Sequence, residues 1–122
     1  MKKILIIDES PLFRDYLGKK LAEFEIETVQ AYNGLDGMLK LRSEIPDLII
    51  MDYFLTRKSA VEVLQEKQRN PNTVNVPVIL IASKLGSKHI VELARFGVKK
   101  VFTKPLKLDA LLNALSDTLG IS

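Results

Sequence analysis

Three runs of four consecutive apolar residues, two followed directly by aspartate and the third by Ala82 and Ser83, constrain the fold more than any other feature of this sequence. They are residues 4–7, 48–51 and 78–81. A strand with one face in water alternates apolar and polar residues, whereas a strand that is buried on both faces does not. The runs therefore predict the central strands of a sheet that is covered by helices on both sides.

Weaker strands and helical segments alternate with these runs. Residues 27–32 and 101–103 read as two further strands, and apolar residues at helical spacing predict five helices. The helices are a segment that starts with the cap Ser10 and Pro11 and carries Leu12, Tyr16, Leu17, Leu21 and Phe24, and residues 35–42, 59–70, 88–96 and 108–119. Strict alternation of strands and helices predicts an α/β fold. We expect a single doubly wound (βα)5 domain over residues 1–122, with a five-stranded parallel sheet and helices on both of its faces.

Chemically useful residues follow four of the five strands. They are Asp8 and Glu9 after the first strand, Asp52 after the third, Ala82 and Ser83 after the fourth, and Lys104 after the fifth. The carboxyl ends of parallel strands meet at one edge of a sheet, where ligands bind. Three carboxylates repel one another unless a cation is present, and Mg²⁺ takes one or two carboxylates while it bridges to phosphate oxygens. With a lysine to hold an anion beside the metal, the set predicts a site for a phosphoryl group. Each residue taken alone also fits an ordinary loop or helix start.

Composition excludes several other classes of site. The chain has no cysteine and one histidine, so it has neither disulfides nor a thiolate or multi-histidine metal site. No apolar run approaches the length of a membrane span, and a cytoplasmic location is expected. The net charge is +3, and seven basic residues fall in one stretch: Lys84, Lys88, Arg95, Lys99, Lys100, Lys104 and Lys107. No aromatic or Arg-rich pattern accompanies the lysines, so this stretch indicates a solvated surface rather than a nucleic-acid site.

The pattern as a whole resembles the receiver domain of bacterial two-component response regulators. The resemblance covers residues 2–120 and rests on the acidic pair Asp8-Glu9, on Asp52, on the turn AYNG at 31–34 and on FTKP at 102–105. It implies a CheY-like, flavodoxin-like fold with the strand order 2-1-3-4-5.

The resemblance also implies a role for each residue of the site. Asp52 is the expected phosphoacceptor, and Lys104 is expected to contact the phosphoryl oxygens. Glu9 and Asp52 are expected to bind Mg²⁺, or Mn²⁺ in its place, directly, while Asp8 acts largely through water. The backbone carbonyl of Phe54 is expected to complete the protein's share of the coordination.

Two groups of residues depart from the family pattern. In the first, Glu9 stands where an aspartate is usual, Thr56 where a proline is usual and Ala60 where a glycine is usual. The longer Glu9 side chain requires the metal to shift or the side chain to fold.

The second group of departures affects the switch by which receivers signal. The usual Ser or Thr of the fourth strand is matched by Ala82, with Ser83 one place later, so that its hydroxyl points to the other face unless Ser83 turns in from the loop. The usual aromatic residue of the fifth strand is matched by Val101, and its neighbour Phe102 is expected to point the other way. We therefore hypothesise a domain that is phosphorylated but does not use the usual coupling.

The partners that the resemblance implies are a sensor histidine kinase or phosphotransfer protein, and a downstream protein or a fused output domain. It places a partner, or a second copy of the chain, on the face formed by the fourth helix, fifth strand and fifth helix. The domain itself is not expected to contact nucleic acid or a membrane directly. The chain ends two residues after Gly120, so it is expected to be a stand-alone receiver or a fragment of a longer regulator.

Other functions are weighed beside the receiver, which is not expected to be a turnover enzyme. A pseudo-receiver that binds partners without phosphorylation is favoured by Ala82 and Val101. A phosphohydrolase usually has an acid two residues after its nucleophile, where this chain has Phe54, and a flavin carrier needs a Ser/Thr-rich phosphate loop that is missing after the first strand. Phe54 itself either shields an acyl phosphate from water or merely packs with Tyr53 over the rim.

Overall fold

A computed structural model describes residues 1–83 and 87–120 of the chain, and for residues 87–90 it describes the backbone alone. Lys84 and the side chain of Lys88, two members of the basic stretch, lie outside the described residues. The elements are β1 Lys3–Ile7, α1 Pro11–Ala22, β2 Glu27–Ala31, α2 Gly34–Glu44, β3 Leu48–Asp52, α3 Ala60–Arg69, β4 Val78–Ala82, α4 Ser87–Ala94, β5 Val98–Thr103 and α5 Leu108–Leu119.

The five strands form one parallel sheet in the order β2-β1-β3-β4-β5, which confirms the predicted fold class and strand order. The three unbroken apolar runs are the three inner strands β1, β3 and β4. Their residues are almost entirely excluded from water, because each inner strand has a strand on either side and helices above and below.

Two apolar layers, one on each face of the sheet, hold the helices in place. Leu5 and Ile7 point into the layer that packs against α2, α3 and α4, whereas Ile4 and Ile6 point into the layer that packs against α1 and α5. This alternation follows from the period of two along a strand. Both layers leave the carboxyl ends of the strands uncovered, and the polar residues collect there.

Side chains cap the helices that follow β1 and β3 at this edge. Ser10 caps α1 by accepting a hydrogen bond from the amide of Phe13, with Pro11 at the first helical position, as the sequence predicts. Ser59 caps α3 in the same way and forms a reciprocal capping box with Glu62. The starts of α1 and α3 are therefore fixed by hydrogen bonds from the loops before them.

Three sequence expectations are corrected by the structure. α4 ends at Ala94 rather than at residue 96, because the last bonds before Gly97 span three residues instead of four. β5 begins at Val98 rather than at residue 101, since Lys99 and Lys100 are exposed on an edge strand, where lysines are common.

The third correction concerns α1. Leu17 and Leu21 are buried as expected, but Leu12, Tyr16 and Phe24 are each about half exposed or more. Leu12 and Tyr16 lie on the outer side of the helix, and Phe24 falls in the turn after its end. Helical spacing identified the helix correctly but overestimated the width of its buried face.

A close approach between α2 and the β3–α3 loop generates a prediction about stability. A methyl group at Gly34 would lie 1.8 Å from the carbonyl oxygen of Lys58, which is backbone and cannot move aside as a side chain can. We expect Gly34→Ala to lower the free energy of unfolding by about 1–3 kcal/mol, measured by urea denaturation.

Gly18→Ala is the matched control for this variant. The added methyl group would lie 3.3 Å from the flexible ends of Gln30 and Thr28, and the exchange removes a glycine from the interior of α1. We expect no loss of stability, because alanine is favoured there by about 1 kcal/mol. Equal losses in the two variants would contradict a specific role for the close approach at Gly34.

Candidate functional site

The carboxyl ends of β1 and β3 place two aspartates side by side. Asp8 follows the last residue of β1, Asp52 is the last residue of β3, and the register pairs Ile7 with Met51 just before them. The side chain of Asp8 is 3% exposed and that of Asp52 is 13% exposed. Carboxylates with so little access to water are stabilised by a nearby positive charge.

Lys104 supplies this charge from the end of β5. Its Nζ lies 3.4 Å from Oδ2 of Asp8 and 3.2 Å from Oδ2 of Asp52. The ammonium group also lies 5.3 Å from the centre of the Phe13 ring, a cation–π contact. Burial by itself lowers the pKa of Lys104, but the hydrogen bond to Asp52 and the charges of both aspartates outweigh it, so that the pKa is raised above its ordinary value.

Backbone amides fix the other oxygen of each aspartate. The amide of Ser10 donates to Oδ1 of Asp8 over 2.9 Å, and the amide of Phe54 donates to Oδ1 of Asp52 over 3.1 Å. Each carboxylate therefore has one oxygen held by the loop that follows its strand and one oxygen directed at Lys104. The two aspartates and the lysine that the sequence predicts at this edge are brought together.

Glu9, the third acid of the predicted set, is directed elsewhere. Its Oε2 accepts a hydrogen bond from the hydroxyl of Thr56 over 2.6 Å and another from the amide of the same residue. Within residues 1–83 and 87–120, no three acidic or histidine side chains are grouped so that they could hold a metal ion. The roles of Glu9, Asp8, Asp52 and the Phe54 carbonyl as metal ligands stay predictions.

The residues at the expected switch positions of β4 and β5 follow the alternation of side chains along a strand. Ala82, the last residue of β4, is fully buried, and its carbonyl accepts the amide hydrogen of Lys104 over 3.0 Å. Ser83 follows it and is exposed. Val101 packs into the layer of α2, α3 and α4, whereas Phe102 packs into the layer of α1 and α5, so the two point to opposite faces as expected.

Phe54 follows Asp52 by two residues and is 54% exposed. The ring meets Tyr53 edge to face, with 5.1 Å between the ring centres. This contact agrees with simple packing over the rim, and the shielding role stays a prediction.

Two supporting residues of the site were not predicted from the sequence. The guanidinium of Arg14 donates to the backbone carbonyl of Asp8 over 2.6 Å and to the side chain of Gln30 over 3.2 Å, which ties α1 to the end of β1. Phe13 lies over the ammonium group of Lys104. A helix that begins two residues after the acidic pair brings its first turn back over that pair, and this spacing is the signal that could have indicated both residues.

Comparison with known proteins identifies the family of the chain. Residues 4–116 match the family model described as the response regulator receiver domain. The chain belongs to this family and is a receiver domain of two-component signalling.

Individual relatives share the fold over almost the whole chain. Protein PilH of Pseudomonas aeruginosa is 29% identical over 98% of this chain and 99% of its own length. The Regulator of RpoS of Escherichia coli is 31% identical over 87% of this chain, but the match covers only 31% of that longer protein. Among solved structures, the receiver domain of the sensor histidine kinase PA1611 of Pseudomonas aeruginosa is 18% identical, covers 98% of both chains and has a TM-score of 0.86. That structure contains a magnesium ion coordinated in the active site cleft.

The shared ammonium group of Lys104 generates a prediction about stability and its pH dependence. Lys104→Met removes the charge that faces Asp8 and Asp52, and we expect the free energy of unfolding to fall by about 1–2 kcal/mol at neutral pH without added metal. Because the pKa of Lys104 is raised in the folded state, its contribution is present below the ordinary value of 10.5 and is lost as the pH rises through the folded-state pKa. The difference from the unaltered chain should therefore hold between about pH 7 and 10 and shrink only above 10.5.

Lys100→Met is the control, since Lys100 is an exposed lysine on the same strand. We expect it to change stability by no more than about 0.5 kcal/mol. A similar loss in both variants, measured by urea denaturation across the pH range, would show that the shared ion pair contributes nothing specific.

Proposed function

We propose that the chain accepts a phosphoryl group on Asp52, from a histidine kinase or phosphotransfer protein, and changes its partner-binding surface as a result. The observation that carries the proposal is the position of Lys104 Nζ, 3.2 Å from Asp52 and 3.4 Å from Asp8. An ammonium group beside two nearly buried carboxylates is suited to an anion with several oxygens.

In the proposed reaction a carboxylate oxygen of Asp52 forms a bond to phosphorus, and the bond between phosphorus and the donor nitrogen or oxygen breaks. The product is an acyl phosphate, and the donor leaves with its electron pair. The amide of Phe54 holds one oxygen of Asp52, so the orientation of the nucleophile is set before the donor arrives. Lys104 neutralises negative charge on the phosphoryl oxygens.

The residues at this edge fit Mg²⁺, or Mn²⁺ in its place, by their donor chemistry. Asp8 and Asp52 offer carboxylate oxygens and Phe54 a backbone carbonyl, and Mg²⁺ is commonly held by one or two carboxylates together with substrate phosphates. When bound, the ion supplies positive charge to the phosphoryl oxygens and reduces the repulsion between the two aspartates. The magnesium ion in the PA1611 receiver domain supports this assignment.

The proposal also covers the location and partners of the domain and distinguishes it from a turnover enzyme. The proposed location is the cytoplasm, the proposed phosphoryl donor is a sensor kinase or phosphotransfer protein, and the proposed recipient of the signal is a downstream protein or a fused domain; the family match supports these assignments. No described helix is long and apolar enough to cross a membrane. The domain acts as a phosphoacceptor rather than a turnover enzyme, because Phe54 occupies the place where a phosphohydrolase has a second acid.

A pseudo-receiver remains the second candidate because of the fourth and fifth strands. Ala82 is fully buried at the end of β4 and carries no hydroxyl, and Val101 lies in the core layer of α2, α3 and α4. We propose that these residues alter how the signal leaves the site rather than abolish phosphorylation, since Asp8, Asp52 and Lys104 lie together. Exposed Arg95, Lys99 and Lys100 then form a basic surface for an acidic partner or a second copy of the chain.

Phosphorylation is tested by intact mass. After incubation with Mg²⁺ and acetyl phosphate we expect the mass to increase by one phosphoryl group, and we expect no increase for Asp52→Asn, because the nucleophile is gone. No increase in the unaltered chain with excess Mg²⁺ would favour the pseudo-receiver, and an increase in Asp52→Asn would place the phosphoryl group on another residue.

The altered switch is tested by two-dimensional amide spectra with and without beryllium fluoride, a mimic of the phosphoryl group. We expect large shifts at the ends of β1 and β3 and only small shifts along the path from Ser83 through Val101 to α5, because no hydroxyl at Ala82 can follow the phosphoryl group. Asp52→Asn, which should not bind the mimic, is the control. Large shifts along that path would show that the usual coupling operates.

A further inference from the structure

Two of the departures from the family pattern contact each other in the structure. Glu9 lies in the β1–α1 loop and Thr56 in the β3–α3 loop, 47 positions apart, and both donors of Thr56 reach the same oxygen of Glu9. An aspartate at position 9 would be one methylene shorter, and a proline at position 56 would have neither an amide hydrogen nor a hydroxyl. Glutamate instead of aspartate at position 9 therefore provides an acceptor for Thr56, and threonine instead of proline at position 56 provides hydrogen-bond donors for Glu9.

The segment around Thr56 is strained and depends on such contacts. Arg57 has a φ of +71°, in the left-handed region that disfavours a side chain. The amide of Lys58 donates back to the carbonyl of Thr56 over 2.8 Å, which closes a tight three-residue turn around Arg57. The amide of Gly34 donates to the same carbonyl over 3.0 Å and ties the turn to the start of α2.

While Glu9 is bonded to Thr56, it lies apart from the two aspartates. No group of three acids that could hold a metal ion occurs in the described part of the chain, although Glu9 follows Asp8 directly. The contact with Thr56 thus occupies the carboxylate that the family pattern assigns to the metal.

We propose that Thr56 competes with the divalent cation for Glu9, so that Glu9 is a positioning residue with two alternative partners. This inference rests on the metal site of the proposed function. Without the cation, Glu9 holds the strained turn at residues 56–58. With the cation, Glu9 releases Thr56 and joins Asp8 and Asp52. The pair therefore lowers affinity for the cation and couples its binding to the β3–α3 loop and, through Gly34, to α2.

Thr56→Val is the decisive variant because it removes the hydroxyl and keeps the shape of the side chain. We expect it to lower the urea midpoint of the protein in EDTA, since the turn loses a bond, and to tighten binding of Mg²⁺ about threefold to tenfold, since the competitor is weakened. Titration with MgCl₂, followed in amide spectra, measures the affinity. Lower stability together with tighter binding of Mg²⁺ would identify competition, because the loss of a merely structural contact would not improve binding.

Glu9→Gln separates competition from other causes. We expect this variant to bind Mg²⁺ more weakly and to remove the effect of Thr56→Val on affinity in the double variant, because a neutral amide is a poor ligand. Thr118→Val is the control, because Thr118 lies in the last turn of α5, at the end of the helix that is remote from Lys104, and it should leave the affinity unchanged. The amide signal of Thr56 should move on saturation with Mg²⁺ as its hydrogen bond is released.

Several results would overturn the competition. Thr56→Val could bind Mg²⁺ equally or more weakly, which would mean that Thr56 orients Glu9 for the cation or has no part in binding. Alternatively, Glu9→Gln could leave the affinity unchanged, or the Thr56 amide signal could stay in place. If the unaltered chain bound no Mg²⁺ and acetyl phosphate added no mass, the proposed function would fail as well, whereas phosphorylation with no effect of Thr56→Val would overturn this inference alone.

Discussion

The shared ion pair between Lys104 and two aspartates is the interaction on which the carboxyl edge of this sheet depends. Asp8 and Asp52 come from adjacent strands and are nearly buried, and the ammonium group of Lys104 lies 3.4 Å from the first and 3.2 Å from the second. Lys104 reaches them from β5, across the end of β4, which lies between β5 and β3 in the sheet. Three features accompany this arrangement: the strand order, the small residue Ala82 at the end of β4, and the backbone amides that donate to Oδ1 of each aspartate.

A receiver has two requirements at the carboxyl edge of its sheet: a site for the phosphoryl group and a means of transmitting the signal. In this chain the two requirements fall on different residues. The proposed phosphoryl site needs charge and orientation, and Asp8, Asp52 and Lys104 are the residues proposed to provide them. Transmission of the signal needs groups that move when the phosphoryl group arrives, and Ala82 and Val101 offer neither a hydroxyl nor an aromatic ring for this purpose. The contact between Glu9 and Thr56 lies on the other side of the site and connects it to α2 and a strained turn. Under the proposed competition for Glu9, these contacts connect the site to α2 by a path that does not pass through β4 and β5.

Much of the fold could be predicted because its determinants are local. Four-residue apolar runs specify strands buried on both faces, Ser10 with Pro11 specifies a helix start, and residues 108–119 were predicted as the last helix with the bounds that the structure has. Predictions were wrong where the exposure of a residue depends on what packs around its strand or helix. β5 starts three residues early because an edge strand tolerates exposed lysines, and Leu12 and Tyr16 are exposed because α1 buries only a narrow face.

For the site, the sequence alone determined which residues follow the strands, and the topology of parallel sheets then placed them at one edge. It also determined that Ala82 lacks a hydroxyl and that Val101 and Phe102 point to opposite faces, because side chains alternate along a strand. Only the tertiary structure decided how the charges pair: that Lys104 serves both aspartates, that Arg14 and Phe13 support them, and that Glu9 turns away to Thr56. These contacts join loops that are distant in the chain, and their geometry depends on how α1, α2 and the β3–α3 loop pack around the strand ends, which no local pattern encodes.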